Sequence, residues 1–201
     1  MQASTETSPA PRRSYRLLWL VLVVCLAPAV ASYFMYYLTP PSGRTNYGEL
    51  VEPQRAMPAL NLKHLDGQAF DPARLRGKWV MVQVDSGDCD AACVAKLYAM
   101  RQVRTTTGKD RDRIERVWLI ADAAPLSTVL MREYDGTRRL RAQPGELEGF
   151  LALPAEDHAR MSEHIWLIDP LGNLMLRWPR DADPNRMKKD LGKLLKASRV
   201  G

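Results

Sequence analysis

The chain has 201 residues, 46% of them hydrophobic and 26% charged. That composition belongs to a packed protein of one domain or a little more, and it excludes disordered, collagenous and low-complexity classes. The net charge of +6 is unevenly placed: residues 1–16 hold Arg12, Arg13 and Arg16 against Glu6, residues 17–38 hold none, and residues 177–199 hold eight basic against three acidic side chains. Nothing before residue 177 spreads basic and aromatic side chains over a face, which argues against nucleic-acid binding.

In chain order, residues 1–16 form a short basic N-terminus expected in the cytoplasm. Residues 17–38 are 22 uncharged residues, and about 20 apolar residues of helix cross a bilayer core. Arginines precede the run and none follows until Arg44, so the positive-inside rule exports the C-terminal part. Tyr33, Tyr36 and Tyr37 would sit at the outer interface. A cleaved signal peptide ending at Ala29-Val30-Ala31 is the alternative, although the apolar run continues past that point through Leu38. Cys25 reads as an apolar filler of this helix. Residues 39–56, with Pro40, Pro41, Gly43, Gly48 and Pro53, read as a linker.

Residues 57–201 are expected to be one domain. A stretch around 60–65 followed by Asp66-Gly67 suggests a hairpin. Residues 78–84, 116–120, 164–168 and 174–178 are apolar strand-like runs, and the last two are joined by a turn carrying Pro170 and Gly172. Residues 89–105 have helical spacing, with Cys93, Leu97 and Met100 on one stripe and Lys96 and Arg101 outside it. Residues 184–197 form a second helix, capped by Asp183 or Asp181 and with Pro184 in its first turn, with Met187, Leu191, Leu194 and Leu195 inward. Residues 126–134 and 145–153 are weaker helix candidates. Strand, helix, strand, hairpin, helix is the order of an α/β thioredoxin-like fold, here with an N-terminal hairpin extension and a single transmembrane helix before it.

Cys89 and Cys93 fall where the first of these strands gives way to the first domain helix. Four residues apart on a helix, two thiols share a face. A sulfur at a helix N-terminus meets unpaired amides and the positive end of the dipole, which favour thiolate, and Cys89 is expected to be the more acidic of the two. Thiolates bind Cu(I) and are also the nucleophiles of disulfide exchange. A structural disulfide is the bland alternative, but a ring this small stabilises little. No second cysteine pair completes a zinc site in the domain. His64 reads as a surface residue, Trp79, Trp118 and Trp166 as core, and the basic last helix as a solvated face.

Met57-Pro58, Asp66-Gly67, residues 75–80, the C-x3-C pair and Trp166-Leu167-Ile168-Asp169-Pro170-Leu171-Gly172 resemble the Sco/SenC family, membrane-anchored copper proteins of cytochrome c oxidase assembly. The resemblance spans residues 50–197, and the C-x3-C spacing is its specific part. It implies a protein of the inner membrane with its domain in the periplasm. Cys89 and Cys93 would serve as redox pair and Cu(I) ligands, and the copper-bearing oxidase subunit would be the partner of a monomer. The family's third ligand is a histidine five residues before the late aromatic, and Met161 stands there, with His158 and His164 three residues to either side. His164 is taken as the third ligand, with His158 and Met161 as alternatives. The family's proline after the first cysteine is Asp90 here. A copper-free thiol-disulfide oxidoreductase and a chemically inactive assembly scaffold are the other readings.

Overall fold

A computed structural model describes residues 15–38, 46–151 and 161–198. It divides into two compact units, residues 1–45 and 46–201. In the first, α1 (Arg16–Leu38) is a single helix containing Pro28. Among the described residues it is the one helix long and apolar enough to cross a membrane.

The second unit is built on an eight-stranded sheet in the order β1-β8-β7-β4-β5-β6-β2-β3. Its strands are β1 (Glu49–Ala56), β2 (Leu62–Lys63), β3 (Ala69–Phe70), β4 (Trp79–Asp85), β5 (Ile114–Ile120), β6 (Arg138–Arg141), β7 (His164–Ile168) and β8 (Asn173–Pro179). The helices are α2 (Ala91–Thr106), α3 (Thr128–Glu133), α4 (Pro144–Phe150) and α5 (Pro184–Ala197). β4 runs parallel to β5 and antiparallel to β7. Such a strand is covered on both faces and reads as an unbroken apolar run.

Strand alternation sorts the core into two layers. Trp79 and Met81 face the layer that holds Cys93, Leu97, Met187 and Leu191, formed by α2 and α5. Val80, Val82 and Val84 face the other, with Leu147 and Phe150 of α4. The four apolar runs and the last helix lie where the sequence puts them. α3 and α4 fall within or next to their expected segments, and the hairpin forms as β2 and β3 around Gly67, whose φ of +86° suits the residue without a Cβ.

Two strands differ from expectation. Residues 49–56, read as part of the linker, form β1 and pair with β8, and Arg177 of β8 donates to Glu49 at 3.0 and 2.8 Å. β6, Arg-Arg-Leu-Arg, was not expected at all, because only Leu140 is apolar and inward. Its arginines are occupied instead: Arg138 pairs with Glu115 at 3.0 Å, and Arg139 donates to the Met131 carbonyl at 2.9 Å.

Candidate functional site

The site lies at the C-terminal end of β4. After Asp85, the loop turns on Gly87, whose position is filled from the far side: a Cβ there would lie 2.4 Å from the Ala124 carbonyl oxygen. Asp122, two residues beyond the end of β5, accepts from the amides of Gly87 at 3.0 Å and Ala124 at 3.1 Å. Hydrogen bonds from the Gly87 amide and the Ser86 hydroxyl hold its carboxyl below the ordinary value. The loop carrying Cys89 is therefore pinned to the neighbouring parallel strand.

Cys89 and Cys93 are joined by a disulfide with their Cα atoms 5.3 Å apart. Asp90 is the N-cap of α2, and its Oδ1 accepts the Cys93 amide at 2.8 Å. The departure from proline thus puts a carboxylate, not a sulfur, at the helix N-terminus, and Cys89 stands one residue before the cap. Cys89 is half-buried, whereas Cys93 is only 1% exposed. Of the two sulfur-bearing residues, Cys89 is thus the one open to solvent.

Behind Cys93 lies a polar group inside the core. Gln83 Nε2 donates to the Cys93 sulfur at 3.3 Å. Lys96, one turn further along α2, is fully buried with its Nζ 2.7 Å from Asp85 Oδ2, and it also donates to the Ser162 carbonyl. The sequence places Lys96 outside the apolar stripe of α2, yet the side chain is buried with it, because a carboxylate and a carbonyl receive the ammonium. Burial pushes the Asp85 carboxyl up to about 6, with the Lys96 charge and hydrogen bond pulling the other way.

The candidates for a third ligand are placed differently. His158 lies outside the described residues. His164 opens β7, whose Ile165 pairs with Gln83, so it is at the same end of the sheet as the disulfide. Its ring packs edge to face on Trp166, centroids 5.2 Å apart, in the layer of Val82 and not of Cys93. Met161 packs against that same layer, and its carbonyl accepts Trp166 Nε1 at 3.1 Å. Among the described residues, no group of three or more His, Cys, Asp and Glu side chains could hold a metal ion. Alternation carried a signal here: residues 164 and 166 share one face of a strand, 165 and 167 the other.

A thioredoxin-like domain whose cysteine pair straddles a strand-to-helix junction is the class that fold and site define. A family model described as transmembrane-like, thioredoxin-like, C-terminal domain matches residues 79–198, and the chain belongs to that family. No curated protein matches the sequence. Among solved structures the domain is similar to apo Sco1 of Thermus thermophilus, at 17% identity and a TM-score of 0.59 over 76% of this chain and 99% of that one. Copper-bound Sco1 of yeast matches at 16% and 0.54 over 72% and 90%. Copper-bound ScoI of Bradyrhizobium japonicum matches at 18% and 0.51 over 69% and 98%. At such identities the likeness is one of fold.

Proposed function

We propose that the chain is a single-pass, periplasm-facing factor of Sco type in the inner membrane. Its reduced Cys89–Cys93 pair takes up Cu(I) and passes it to the copper-bearing subunit of cytochrome c oxidase. The observation that carries this reading is the pair itself: two thiols four residues apart, one reachable and one buried, on a loop fixed by Asp122. Two-electron reduction opens the disulfide to two thiols. Loss of their protons gives two soft thiolates, which suit Cu(I) as cargo. The third donor comes from His164, with His158 and Met161 as alternatives; the Lys96 to Ser162 contact ties residues 161–164 to α2.

The groups around Cys93 favour a second reading, thiol-disulfide exchange without copper. Gln83 and the Lys96–Asp85 pair are hydrogen-bonding and charged groups, not soft ligands. In that chemistry the Cys89 thiolate attacks one sulfur of a client disulfide and the other client sulfur leaves as thiolate. Cys93, deprotonated, then attacks Cys89 and releases the second client sulfur. The client gains two electrons, and the Cys89–Cys93 bond re-forms.

The deciding experiment titrates the reduced, detergent-solubilised chain with Cu(I) in competition with a moderate chelator. One copper per chain, lost in both Cys89→Ser and Cys93→Ser, supports the first reading. A reduced chain that yields all its copper to the chelator, yet reduces a model disulfide, supports the second.

A further inference from the structure

The solvent face of α5 is cationic along its whole length. Arg186, Lys188, Lys189, Lys193 and Lys196 are exposed, whereas its one acidic residue, Asp190, is 3% exposed. Lys189, Lys193 and Lys196 follow one another at i, i+4 and i+7, so they form one stripe, which Arg186 and Lys188 flank. The charge is local: residues 177–199 hold eight basic against three acidic side chains, more than the net charge of residues 39–201 as a whole. The neighbouring segment Gly108–Arg113 adds Lys109, Arg111 and Arg113 against Asp110 and Asp112, and Arg113 donates to the carbonyls of Leu195 and Ser198 at 3.0 and 3.1 Å.

The same helix receives the chain as it enters the domain. Asp190 accepts the amides of Tyr47 at 3.0 Å and Gly48 at 2.8 Å, and Arg186 lies 3.9 Å over the Tyr47 ring. A Cβ on Gly48 would stand 2.3 Å from Leu176, so the entry point is closely packed as well as hydrogen-bonded. Residues 39–46 are all that separate the end of α1 from Tyr47, and nine peptide steps reach at most about 30 Å. With α1 in a bilayer, the linker lets Tyr47 stand no more than about 30 Å from the end of α1.

We propose that the cationic face of α5 docks on the anionic headgroups of the bilayer that holds α1. The inference rests on the membrane-anchor part of the function proposed above, and not on copper or thiol chemistry. Basic clusters beside a membrane span are drawn to anionic lipid within a Debye length of the surface, about 10 Å at 0.1 M salt. Docking would restrict the rotation of the domain about its tether and so limit where Cys89 can meet a client.

The full chain is reconstituted into lipid nanodiscs of phosphatidylcholine alone or with one-third phosphatidylglycerol, and its lysines are acetylated with a membrane-impermeant reagent and quantified by peptide. Lys63 and Lys78, exposed elsewhere on the domain, serve as references. Lys188, Lys189, Lys193 and Lys196 should react several-fold more slowly in the anionic discs at low salt and recover in 0.5 M salt. Lys188 should lose its protection when Lys189, Lys193 and Lys196 are replaced by Glu. Equal labelling in an anchored chain overturns the docking and leaves an acidic protein as the partner for this face. A chain that elutes free of both kinds of disc overturns the anchor instead.

Discussion

The Lys96 ammonium lies 2.7 Å from Asp85 Oδ2 with 1% and 11% of the two side chains exposed. Breaking such a buried pair by removing one partner costs ~3–5 kcal/mol, while replacing both by apolar groups can be neutral. Burial raises the Asp85 carboxyl from 3.8 to about 6. Between those values the folded chain binds more protons than the unfolded one, so this group makes stability fall as pH rises through that window. Lys96→Met removes the charge that holds the carboxyl down and moves its folded value higher still. In urea denaturation the variant should therefore lose more stability at pH 8 than at pH 5, where the carboxyl is protonated. Lys96→Met with Asp85→Leu should recover most of the loss. A loss independent of pH, or a double variant worse than either single one, would show that the pair is not coupled in this way.

Asp90 separates two effects on the cysteines that the sequence joins in one position. As N-cap it receives the Cys93 amide, and as a carboxylate next to Cys89 it opposes a second negative charge there. Asn caps about as well as Asp, whereas Ala costs ~1 kcal/mol. Asp90→Asn should keep the thermal midpoint and make Cys89 alkylate faster at neutral pH, with its midpoint shifted to lower pH. Asp90→Ala should lower the midpoint as well. Iodoacetamide rates against pH, in the reduced chain with Cys93→Ser, read this directly; an unchanged profile in Asp90→Asn sinks the electrostatic part of the argument.

The central strands were legible because β4, β5, β7 and β8 are buried on both faces or nearly so, and each is an apolar run. β1 and β6 were not: β1 is an edge strand without a hydrophobic period, and β6 has one buried apolar residue, Leu140, among arginines that find a carboxylate and a carbonyl. The cysteine pair and its strand-to-helix setting were visible locally. The groups that surround it were hidden by distance along the chain. Lys96 counts as polar on a helical wheel, and its partner lies on a strand eleven residues earlier. Asp122, which fixes the loop, is 35 residues from Gly87. Asp190 reaches 142 residues back to Gly48.

Gly87 carries a packing requirement at the site. A Cβ would approach the Ala124 carbonyl oxygen to 2.4 Å and its carbon to 3.0 Å, backbone atoms that cannot rotate away. Gly87→Ala should cost ~1–3 kcal/mol by overpacking, and it should displace the loop that presents Cys89. The expected readouts are a lower urea midpoint and slower reaction of the reduced chain with a small disulfide. Asp122→Ala should slow the same reaction by freeing the loop, with a smaller effect on stability. Wild-type kinetics in both variants would mean that the loop does not position Cys89.

The third copper donor is the part of the proposal most open to test by substitution. His164 is at the sheet end that holds the disulfide, but its ring rests on Trp166, so it must leave that contact to join two thiolates facing the other layer. Met161 would have to leave its packing against the same layer. A two-thiolate Cu(I) site accepts either imidazole or thioether as a further donor. His164→Ala should therefore weaken Cu(I) binding by the reduced chain at least tenfold in chelator competition, while Met161→Ala and His158→Ala leave it within about twofold, ~0.4 kcal/mol. Cu(I) in the wild type should show a nitrogen scatterer by X-ray absorption that His164→Ala removes. A tenfold loss in His158→Ala instead would move the donor into the 152–160 segment, and equal affinity in all three variants would leave a site of two thiolates alone.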